Sequence, residues 1–490
     1  MLCLALAACS RPSGNSVERI ALLPFENLTG DASLDWTRDA GPAILAEEIA
    51  GSAHLFAIRA PTVSEAALAG ASRLVHASVS RKSPQALHLE ISVEDPARRK
   101  MIATSEFDGS LLFVVDALAR TLDPAAKPFS TRNAEAIAAW GQGEFERAVT
   151  LDPDFGTSWS AWINQLARSG KADEALLAAE KALGRASLRS PLNKAQIELQ
   201  AAGLRKDETA RVAALNTLAG LAPNDIATAI ALAELEQRLR NFAKAADWNH
   251  RVLAMDPGNA GALNALGYAE GEAGHLDNAV AALRQYGQQP NQANNALDSL
   301  GEVYFMNGRF ADAEKYFSQA SAKDPAFLDG APLLKAAYAR WLAKPADVSA
   351  ADSVMRRYLD FRMQHGDRTV KWREATWLYS TGREKEAGAA LAGAPPDQKT
   401  SVDRQLSVWR GEVKPPSDLG QLKAVYQSTN PAADGLIRNI YAAALLDAGK
   451  MDEARALLTR WPLPESAGDP MLQSLVYPQF IEMRRKLGMQ

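Results

Sequence analysis

The side chains that could carry chemistry in this chain are six histidines and two cysteines among 490 residues. Histidine and cysteine hold metals when short, regular spacings bring them to one side of a helix or loop. These histidines show no such spacing, and the chain has no phosphate-binding glycine loop, no GxSxG elbow and no complete GxGxxG. The sequence therefore predicts no catalytic residue, no metal and no cofactor. The histidines are His54, His76, His88, His250, His275 and His365.

One cysteine has neighbours that indicate a use for it. The run Leu6-Ala7-Ala8-Cys9-Ser10 follows a short apolar stretch and places small residues before a thiol that can be alkylated. It resembles the lipobox of bacterial lipoproteins, in which cleavage leaves the cysteine as a lipid-bearing first residue. The resemblance implies a signal and linker over residues 1–16, lipidation of Cys9 and, because Ser10 follows it, retention at the outer membrane. No Lys or Arg precedes the apolar stretch, so we expect the true start upstream.

Composition restricts the remaining chain. Cys3 and Cys9 both lie in the predicted signal, which leaves no cysteine for disulfide or thiol chemistry. The net charge of -4 argues against nucleic-acid binding, for which a basic domain is expected. No later segment approaches the ~20 apolar residues of a membrane span, so the predicted membrane contact is through the lipid alone. No small-molecule substrate is evident.

A period of 34 residues is the strongest signal in the chain. Apolar and small residues repeat at about this spacing over three consecutive segments. Within each segment they lie on one face of a first helix and on one face of a second helix, which proline ends. One such hairpin buries too little apolar surface to be stable, so neighbours must stack. The aligned positions are Leu232, Leu266 and Leu300; Phe242, Leu276 and Phe310; Ala245, Ala279 and Ala313; Pro257, Pro290 and Pro325.

These positions resemble the tetratricopeptide repeat, whose signature places Leu-Gly, Tyr, Ala, Phe, Ala and Pro at fixed offsets. Residues 291–325 match almost every position, and 258–290 keep Leu266-Gly267 and Ala279. The match weakens outward, and after Pro325 the period stretches. The resemblance implies an α-solenoid over residues 133–465, with about nine or ten helical hairpins from residue 133 to the end.

Residues 17–125 lack this period and read as a small α+β or α/β domain. A continuous apolar run opens it, as expected of a strand covered on both faces, and a later segment alternates apolar and polar residues like a half-exposed strand. We place a helix start near Pro42 because proline is tolerated in a first turn. The predicted strands are 20–25, 55–59, 73–80, 87–93 and 101–107, and the predicted helices are 42–49, 63–68 and 111–122.

The opening of this domain, from Ile20 to Asp31 with the later Trp36, resembles the TolB-type amino-terminal domain found ahead of tetratricopeptide repeats in bacterial signalling and regulatory proteins. That family assigns the domain no reaction. In related architectures a cyclase or winged-helix DNA-binding region comes first, whereas here the preceding sixteen residues resemble a signal.

The first helix of each tetratricopeptide hairpin lines a concave groove, and the motif offsets identify the groove positions of this chain. They form a mixed, mildly acidic surface with a few exposed aromatic side chains, suited to an extended or helical segment of a protein or peptide partner. The predicted groove residues are Asn164, Arg168, Glu234, Gln237, Arg238, Asn264, Tyr268, Glu272, Asp298, Glu302, Phe305 and Met306.

The sequence ends with a segment placed to cap the repeats. Residues 466–490 lead through an apolar stretch into a basic helix over 481–487, and a solenoid needs a terminal element with a polar outer face.

Taken together, the sequence predicts a mostly α protein, a tetratricopeptide-repeat α-solenoid preceded by a small α/β domain, that serves as a non-catalytic interaction scaffold. We expect it in the bacterial cell envelope, facing the periplasm and lipid-anchored. Two alternatives remain: a regulatory protein whose DNA-binding or cyclase region lies upstream or has been lost, and an enzyme with an unrecognised site in residues 17–125. Genomic sequence before Met1 distinguishes the first, and activity screening of residues 17–125 the second.

Overall fold

The computed structural model describes residues 17–83, 86–185, 188, 190–344, 347–399, 419–428, 435–460, 483 and 487–488. The predicted signal with Cys9 and most of the predicted cap, 466–490, lie outside this part of the chain. The chain divides into two compact units, Met1–Leu235 and Glu236–Gln490. The domain ranges predicted from the sequence stay predictions.

The first unit begins with a mixed β-sheet. The strand order is β3-β1-β4-β5-β6, with β2 paired to β4; β3, β1 and β4 are parallel, whereas β4, β5 and β6 are antiparallel. The strands are β1 (Glu18–Leu22), β2 (Glu26–Asn27), β3 (Leu55–Arg59), β4 (Arg73–Ser83), β5 (Ala86–Asp95) and β6 (Lys100–Gly109), and the accompanying helices are α1 (Thr37–Glu48), α2 (Val63–Leu68) and α3 (Leu111–Leu122).

The apolar run at β1 is explained by burial on two sides. Ile20 and Leu22 belong to the core that also contains residues of α1 and α3, whereas Ala21 packs in a second cluster with Ala66 of α2. A strand with two covered faces has no solvated side, which is why polar residues do not alternate with apolar ones. The predicted strand over 55–59 and the helices over 63–68 and 111–122 are confirmed with the same bounds.

The predicted start of the first helix is wrong. α1 begins at Thr37, so Pro42 lies inside it rather than in its first turn. Proline has no N–H to donate to the carbonyl four residues earlier, that of Arg38. In this fold the N–H of Phe25 donates to the Arg38 oxygen at 2.9 Å. The chain leaving β1 thus satisfies the acceptor that the proline leaves open.

The loop that carried the TolB-type resemblance is held by its own side chains. The Asn27 amide donates to the carbonyl oxygen of Asp31 at 3.0 Å, and the Thr29 hydroxyl donates to Asn27 Oδ1 at 2.6 Å. Arg81 of β4 donates to Asp31 Oδ2 at 2.7 Å, which fixes the loop to the sheet. Gly30 has φ of 73°, the left-handed region that glycine adopts without strain.

Helical hairpins make up most of the described chain after α3. The part of the chain that the structure describes contains nine helix pairs after α3. The helices are α4 (Ala134–Gly141), α5 (Phe145–Leu151), α6 (Gly156–Arg168), α7 (Ala172–Leu183), α8 (Pro191–Leu204), α9 (Glu208–Leu221), α10 (Ile226–Arg238), α11 (Phe242–Met255), α12 (Ala260–Glu272), α13 (Leu276–Tyr286), α14 (Ala293–Met306), α15 (Phe310–Lys323), α16 (Ala331–Ala343), α17 (Val348–Gln364), α18 (Val370–Ser380), α19 (Glu384–Ala392), α20 (Leu419–Ser428), α21 (Gly435–Asp447) and α22 (Met451–Arg460).

Eight of these hairpins close with the same turn. A residue with positive φ follows the first helix, and the next N–H donates to the carbonyl five residues before it, which is the Schellman arrangement of helix ends. Four of the left-handed residues, at positions 206, 240, 274 and 308, follow one another at a spacing of 34 residues. Only the last two are glycine, so a search of the sequence for glycine would find half of these four turns. The left-handed residues are Gly143, Gly170, Lys206, Arg240, Gly274, Gly308, Gly382 and Gly449.

Glycine also sets how closely the two helices of a hairpin approach. A β-carbon at Gly301 of α14 would lie 2.4 Å from a ring carbon of Phe317 in α15, and one at Gly267 of α12 would lie 2.5 Å from Leu283 in α13. The predicted fold class is confirmed by these stacked hairpins and the small sheet layer before them. None of the described helices combines the length and apolar composition that a bilayer crossing requires.

We expect Gly301→Ala to destabilise the second unit. Overpacking costs about 1–3 kcal/mol, which exceeds the ~1 kcal/mol that alanine gains over glycine within a helix. Urea unfolding measures the change, and adding Phe317→Leu should restore part of it. The control is Gly261→Ala in α12, where the new methyl meets only Asn259 Oδ1 at 3.4 Å and stability should not fall. Equal unfolding midpoints for both alanine variants would contradict the close-crossing account.

Candidate partner-binding surface

The predicted groove residues occupy first helices of hairpins, but their exposure differs. Asn164 and Arg168 of α6 are exposed, as are Glu234 and Arg238 of α10. Asp298 and Met306 are buried, at 3% and 6% exposure. The other positions are half-buried: Gln237, Asn264, Tyr268, Glu272, Glu302 and Phe305.

Within the second unit, the first helices α12, α14 and α16 are joined by a row of hydrogen-bonded polar side chains. We call this row the polar seam. The sequence predicts solvent-exposed groove residues at most of these positions, whereas the structure shows side chains that bond to one another. The members of the seam are Asn264, Tyr268, Asp298, Ser299, Glu302 and Lys335.

Lys335 of α16 is the centre of the seam. Its ammonium group donates to Asp298 Oδ2 at 2.8 Å and to Glu302 Oε1, both on α14. The hydroxyl of Tyr268 on α12 donates to the other Glu302 oxygen at 2.5 Å. Three consecutive hairpins are therefore tied through one carboxylate, which accepts from the helix on either side.

Burial and charge together set the protonation of the seam. Burial alone would lower the pKa of Lys335, but the negative charges of Glu302 and Asp298 outweigh it and raise that pKa above its usual value. Burial raises the pKa of Asp298 to about 6, although Lys335 opposes the rise. Burial and the Glu302 charge keep the pKa of the Tyr268 hydroxyl well above its usual value, so that it remains a donor.

The seam carries one more negative than positive charge at neutral pH. Among the described residues, none donates a hydrogen bond to Asp298 Oδ1, and the amide of Asn294, one turn earlier on α14, is also without a partner. A buried carboxylate oxygen without a donor is costly. This cost is consistent with burial as the main cause of the raised pKa of Asp298.

The remaining predicted groove residues of the second unit also serve packing. Glu272 lies 3.6 Å from Arg240, and both side chains are almost fully buried. The ring of Phe305 contacts the ring of Phe310 at a centroid distance of 5.3 Å. Met306 belongs to a hydrophobic core cluster. The expectation of exposed aromatic side chains at Tyr268 and Phe305 is therefore corrected: both are half-buried and engaged.

Sequence reasoning missed Lys335 and Ser299, although they complete the seam. Lys335 stands alone in a helix whose other residues from Ala331 to Ala339 are apolar and buried, and a lone lysine in such a run is the signal that could have found it. The spacing from Asp298 to Lys335 is 37 residues rather than 34. Alignment on the repeat period therefore does not place it.

The open positions of the predicted surface lie on α6 and α10. Asn164 and Arg168 lie one turn apart on α6, and Glu234 is exposed on α10. Between them, Gln200 of α8 donates to the carbonyl and hydroxyl oxygens of Ser160 on α6, at 3.0 and 2.9 Å. That bond fixes α6 to α8 and leaves the outer residues of α6 to solvent. Whether these residues contact a partner stays a prediction.

Comparison with protein-family models finds no match, and comparison with curated proteins finds none either. Solved structures similar to part of the chain include tetratricopeptide-repeat proteins. MamA is 17% identical over 36% of this chain and 93% of its own, with a TM-score of 0.31. YrrB, a tetratricopeptide-repeat protein with an unusual peptide-binding site, is 16% identical over 37% of this chain and 92% of its own, with a TM-score of 0.32.

A tetratricopeptide-repeat protein from Parabacteroides merdae is 11% identical over 52% of this chain and 98% of its own, with a TM-score of 0.37. At these identities and TM-scores the similarities carry no argument about this chain. The described hairpins have the tetratricopeptide fold. The repeated left-handed turns and the glycine crossings are the geometry on which this statement rests.

We expect Lys335→Met to destabilise the second unit by about 3–5 kcal/mol at pH 8, because two buried carboxylates lose their counter-ion. A carboxyl whose folded pKa is raised favours folding at low pH, so the loss should shrink at pH 5. Urea unfolding followed by hydrogen exchange of α12 to α16 measures it. The triple variant Lys335→Met, Asp298→Asn, Glu302→Gln is the control and should recover most of the stability. An unchanged urea midpoint in Lys335→Met at pH 8 would show that the seam is not a structural element.

Proposed function

We propose that this protein is a non-catalytic scaffold that binds a protein or peptide partner through the first helices of its tetratricopeptide hairpins. The observation that carries the proposal is the contrast between the units. In the second unit the first helices are joined by the polar seam, whereas α6 and α10 keep Asn164, Arg168 and Glu234 exposed. Exposed side chains of both signs on rigid helices suit recognition of a segment by hydrogen bonds and ion pairs.

The proposed contact surface is therefore narrower than the set predicted from sequence. Arg168, one turn after Asn164, can pair with a carboxylate of the partner, and Glu234 with a lysine or arginine. The seam residues Asp298, Glu302 and Lys335 hold neighbouring hairpins together, and we assign them no direct contact. We propose no nucleic-acid partner and no small-molecule substrate.

We further propose that the protein is anchored in the bacterial cell envelope by lipid on Cys9, faces the periplasm and is retained at the outer membrane. The support is the run Leu6-Ala7-Ala8-Cys9-Ser10, whose small residues precede a thiol, together with the absence of any other cysteine after residue 9. The relationship of residues 17–125 to TolB-type amino-terminal domains is likewise a proposal. It rests on the motif whose loop is closed by Asn27, Thr29 and Asp31.

We expect Cys9→Ser to abolish lipid attachment, because serine supplies no thiol for alkylation. Full-length protein expressed in a bacterial host and labelled with an alkyne fatty acid should carry label in the membrane fraction. The Cys9→Ser variant should carry none and leave that fraction. Cys3→Ser is the matched control and should retain label. Label that persists in Cys9→Ser would refute the anchoring proposal.

We expect partner capture to depend on the exposed residues of the first unit. In-cell crosslinking followed by mass spectrometry should recover one protein reproducibly with the intact chain. Recovery should fall at least tenfold with the charge-reversing pair Arg168→Glu and Glu234→Arg, since each reversal turns an attraction into a repulsion. The variant Lys335→Met is the matched control: its capture should fall only in proportion to its loss of folded protein.

Two outcomes would separate this proposal from its alternatives. If capture follows residues 17–125 alone and survives deletion of 133–490, the repeats are a structural body and recognition belongs to the sheet layer. If the charge reversals leave capture unchanged, α6 and α10 are not the contact surface.

A further inference from the structure

The last residues of α1 join the sheet layer to the first hairpin within the first unit. The main-chain carbonyl of Glu48 accepts from the N–H of Lys127 at 2.8 Å, and the Glu48 side chain accepts through Oε1 from the N–H of Phe129 at 3.0 Å. Residues 123–133, which we call the linker, connect α3 to α4. One glutamate therefore holds the middle of the linker by two hydrogen bonds.

The linker carries apolar packing with it. Phe129 is buried, and its ring contacts those of Trp140 in α4 and Phe155, just before α6, at centroid distances of 5.9 and 5.6 Å. These two residues belong to the first hairpin and the turn after it. A change at Glu48 is therefore transmitted to the hairpin through the Phe129 ring.

The second oxygen of the Glu48 carboxyl has an unusual neighbour. Glu48 Oε2 and Asp116 Oδ1 of α3 are both buried, and within the described part of the chain neither accepts a hydrogen bond from an N–H or from a hydroxyl. The Asp116 carboxyl raises the pKa of Glu48, both by its charge and as a hydrogen-bond partner of the protonated Glu48 carboxyl. Two carboxylates can form such a bond only when one of them carries a proton.

The surrounding charges indicate where that proton resides. Arg132 of the linker donates to Asp116 Oδ2 at 2.6 Å, and Arg120 lies 3.8 Å from the same oxygen. Both guanidinium groups thus face Asp116, which leaves Glu48 as the carboxyl that holds the proton. Burial raises the pKa of Glu48 to about 9, the contact with Asp116 raises it, and Phe129 N–H and Arg132 oppose the rise.

The preceding residue faces a separate group of polar side chains. The hydroxyl of Thr157 in α6 donates to Glu47 Oε2 at 2.7 Å. Burial raises the pKa of Glu47 to about 7, and hydrogen bonds from Thr157, Asn193 and Ser130 oppose the rise. Glu47 therefore loses its proton at lower pH than Glu48 does, which allows the two to be distinguished.

We propose that the proton shared by Glu48 and Asp116 is a latch that fastens the linker and the first hairpin to the sheet layer, and that alkaline pH opens it. With the proton present, Glu48 donates to Asp116 and keeps Oε1 free to accept from Phe129. With the proton lost, two adjacent buried carboxylates repel each other, and the end of α1 separates from α3. The linker then exchanges its bonds to Glu48 for bonds to water.

The direction of the pH dependence follows from linkage. A carboxyl whose pKa is higher in the closed state than in the open state binds more protons when closed. The closed state is therefore fully favoured below about pH 4.5, and it weakens as pH rises towards 9. Over the upper part of this range the closed-to-open ratio falls by up to about tenfold for each pH unit.

Hydrogen exchange of the intact chain tests the latch directly. The reporters are the amides of Lys127 and Phe129, read from peptides covering residues 124–131. After correction for intrinsic exchange, we expect their protection to fall at least tenfold between pH 7 and pH 9. Glu48→Gln keeps a donor for Asp116 and an acceptor for Phe129 at every pH, so its profile should be flat.

Three further variants keep the test decisive. Asp116→Asn offers an amide donor to an ionised Glu48 and should make the pH profile shallower than that of the wild type, although burial still raises the pKa of Glu48. This variant keeps the test usable if Glu48→Gln does not fold. Glu47→Gln should preserve the fall between pH 8 and 9, and so should Glu65→Gln, a control at an exposed glutamate of α2. The proposal fails if the wild-type reporters lose no more protection than peptides from α14, or if Glu48→Gln or Asp116→Asn keeps the wild-type slope.

Discussion

The closing turn shared by eight of the described helical hairpins is the constraint on which the repeats of this protein depend. Two amphipathic helices can pack against each other only if the chain reverses within a few residues, and here a single left-handed residue and one hydrogen bond across five residues achieve it. Glycine supplies that conformation at Gly274 and Gly308, whereas Lys206 and Arg240 adopt it at a steric cost. The spacing of these turns gives the 34-residue period.

Polar side chains lie between the first helices of neighbouring hairpins, and the two units pair these side chains in different ways. The second unit joins them through the seam centred on Lys335, whose ammonium group lies between carboxylates from one helix. Such a cluster favours a defined register between neighbours because a shifted hairpin would leave buried charges unpaired. The first unit uses the neutral bond from Gln200 to Ser160 and keeps charged residues such as Arg168 in solvent.

Glu48, at the end of α1, also holds neighbouring elements together through a buried carboxyl group, but without a lysine partner. At the seam a buried carboxylate is balanced by a lysine, but at Glu48 the balance comes from a retained proton, because the guanidinium groups of Arg132 and Arg120 face Asp116. Both solutions follow from the cost of burying a charge without a partner. They differ in their response to pH, since the lysine pair stays charged while the shared proton is lost under alkaline conditions.

The sequence by itself determined the type and order of the elements. The 34-residue period predicted the hairpins, and the apolar run at β1 predicted a strand with two covered faces. Both patterns can be read from residues that are close together along the chain. The sequence placed Pro42 in a first turn and Asp298 on an open groove, and the fold corrected both. Local pattern cannot show that Phe25 satisfies the carbonyl of Arg38, or that Lys335 reaches Asp298 from 37 residues away. Only the tertiary structure decides such pairings, because burial and charge compensation depend on which distant side chains share the same space.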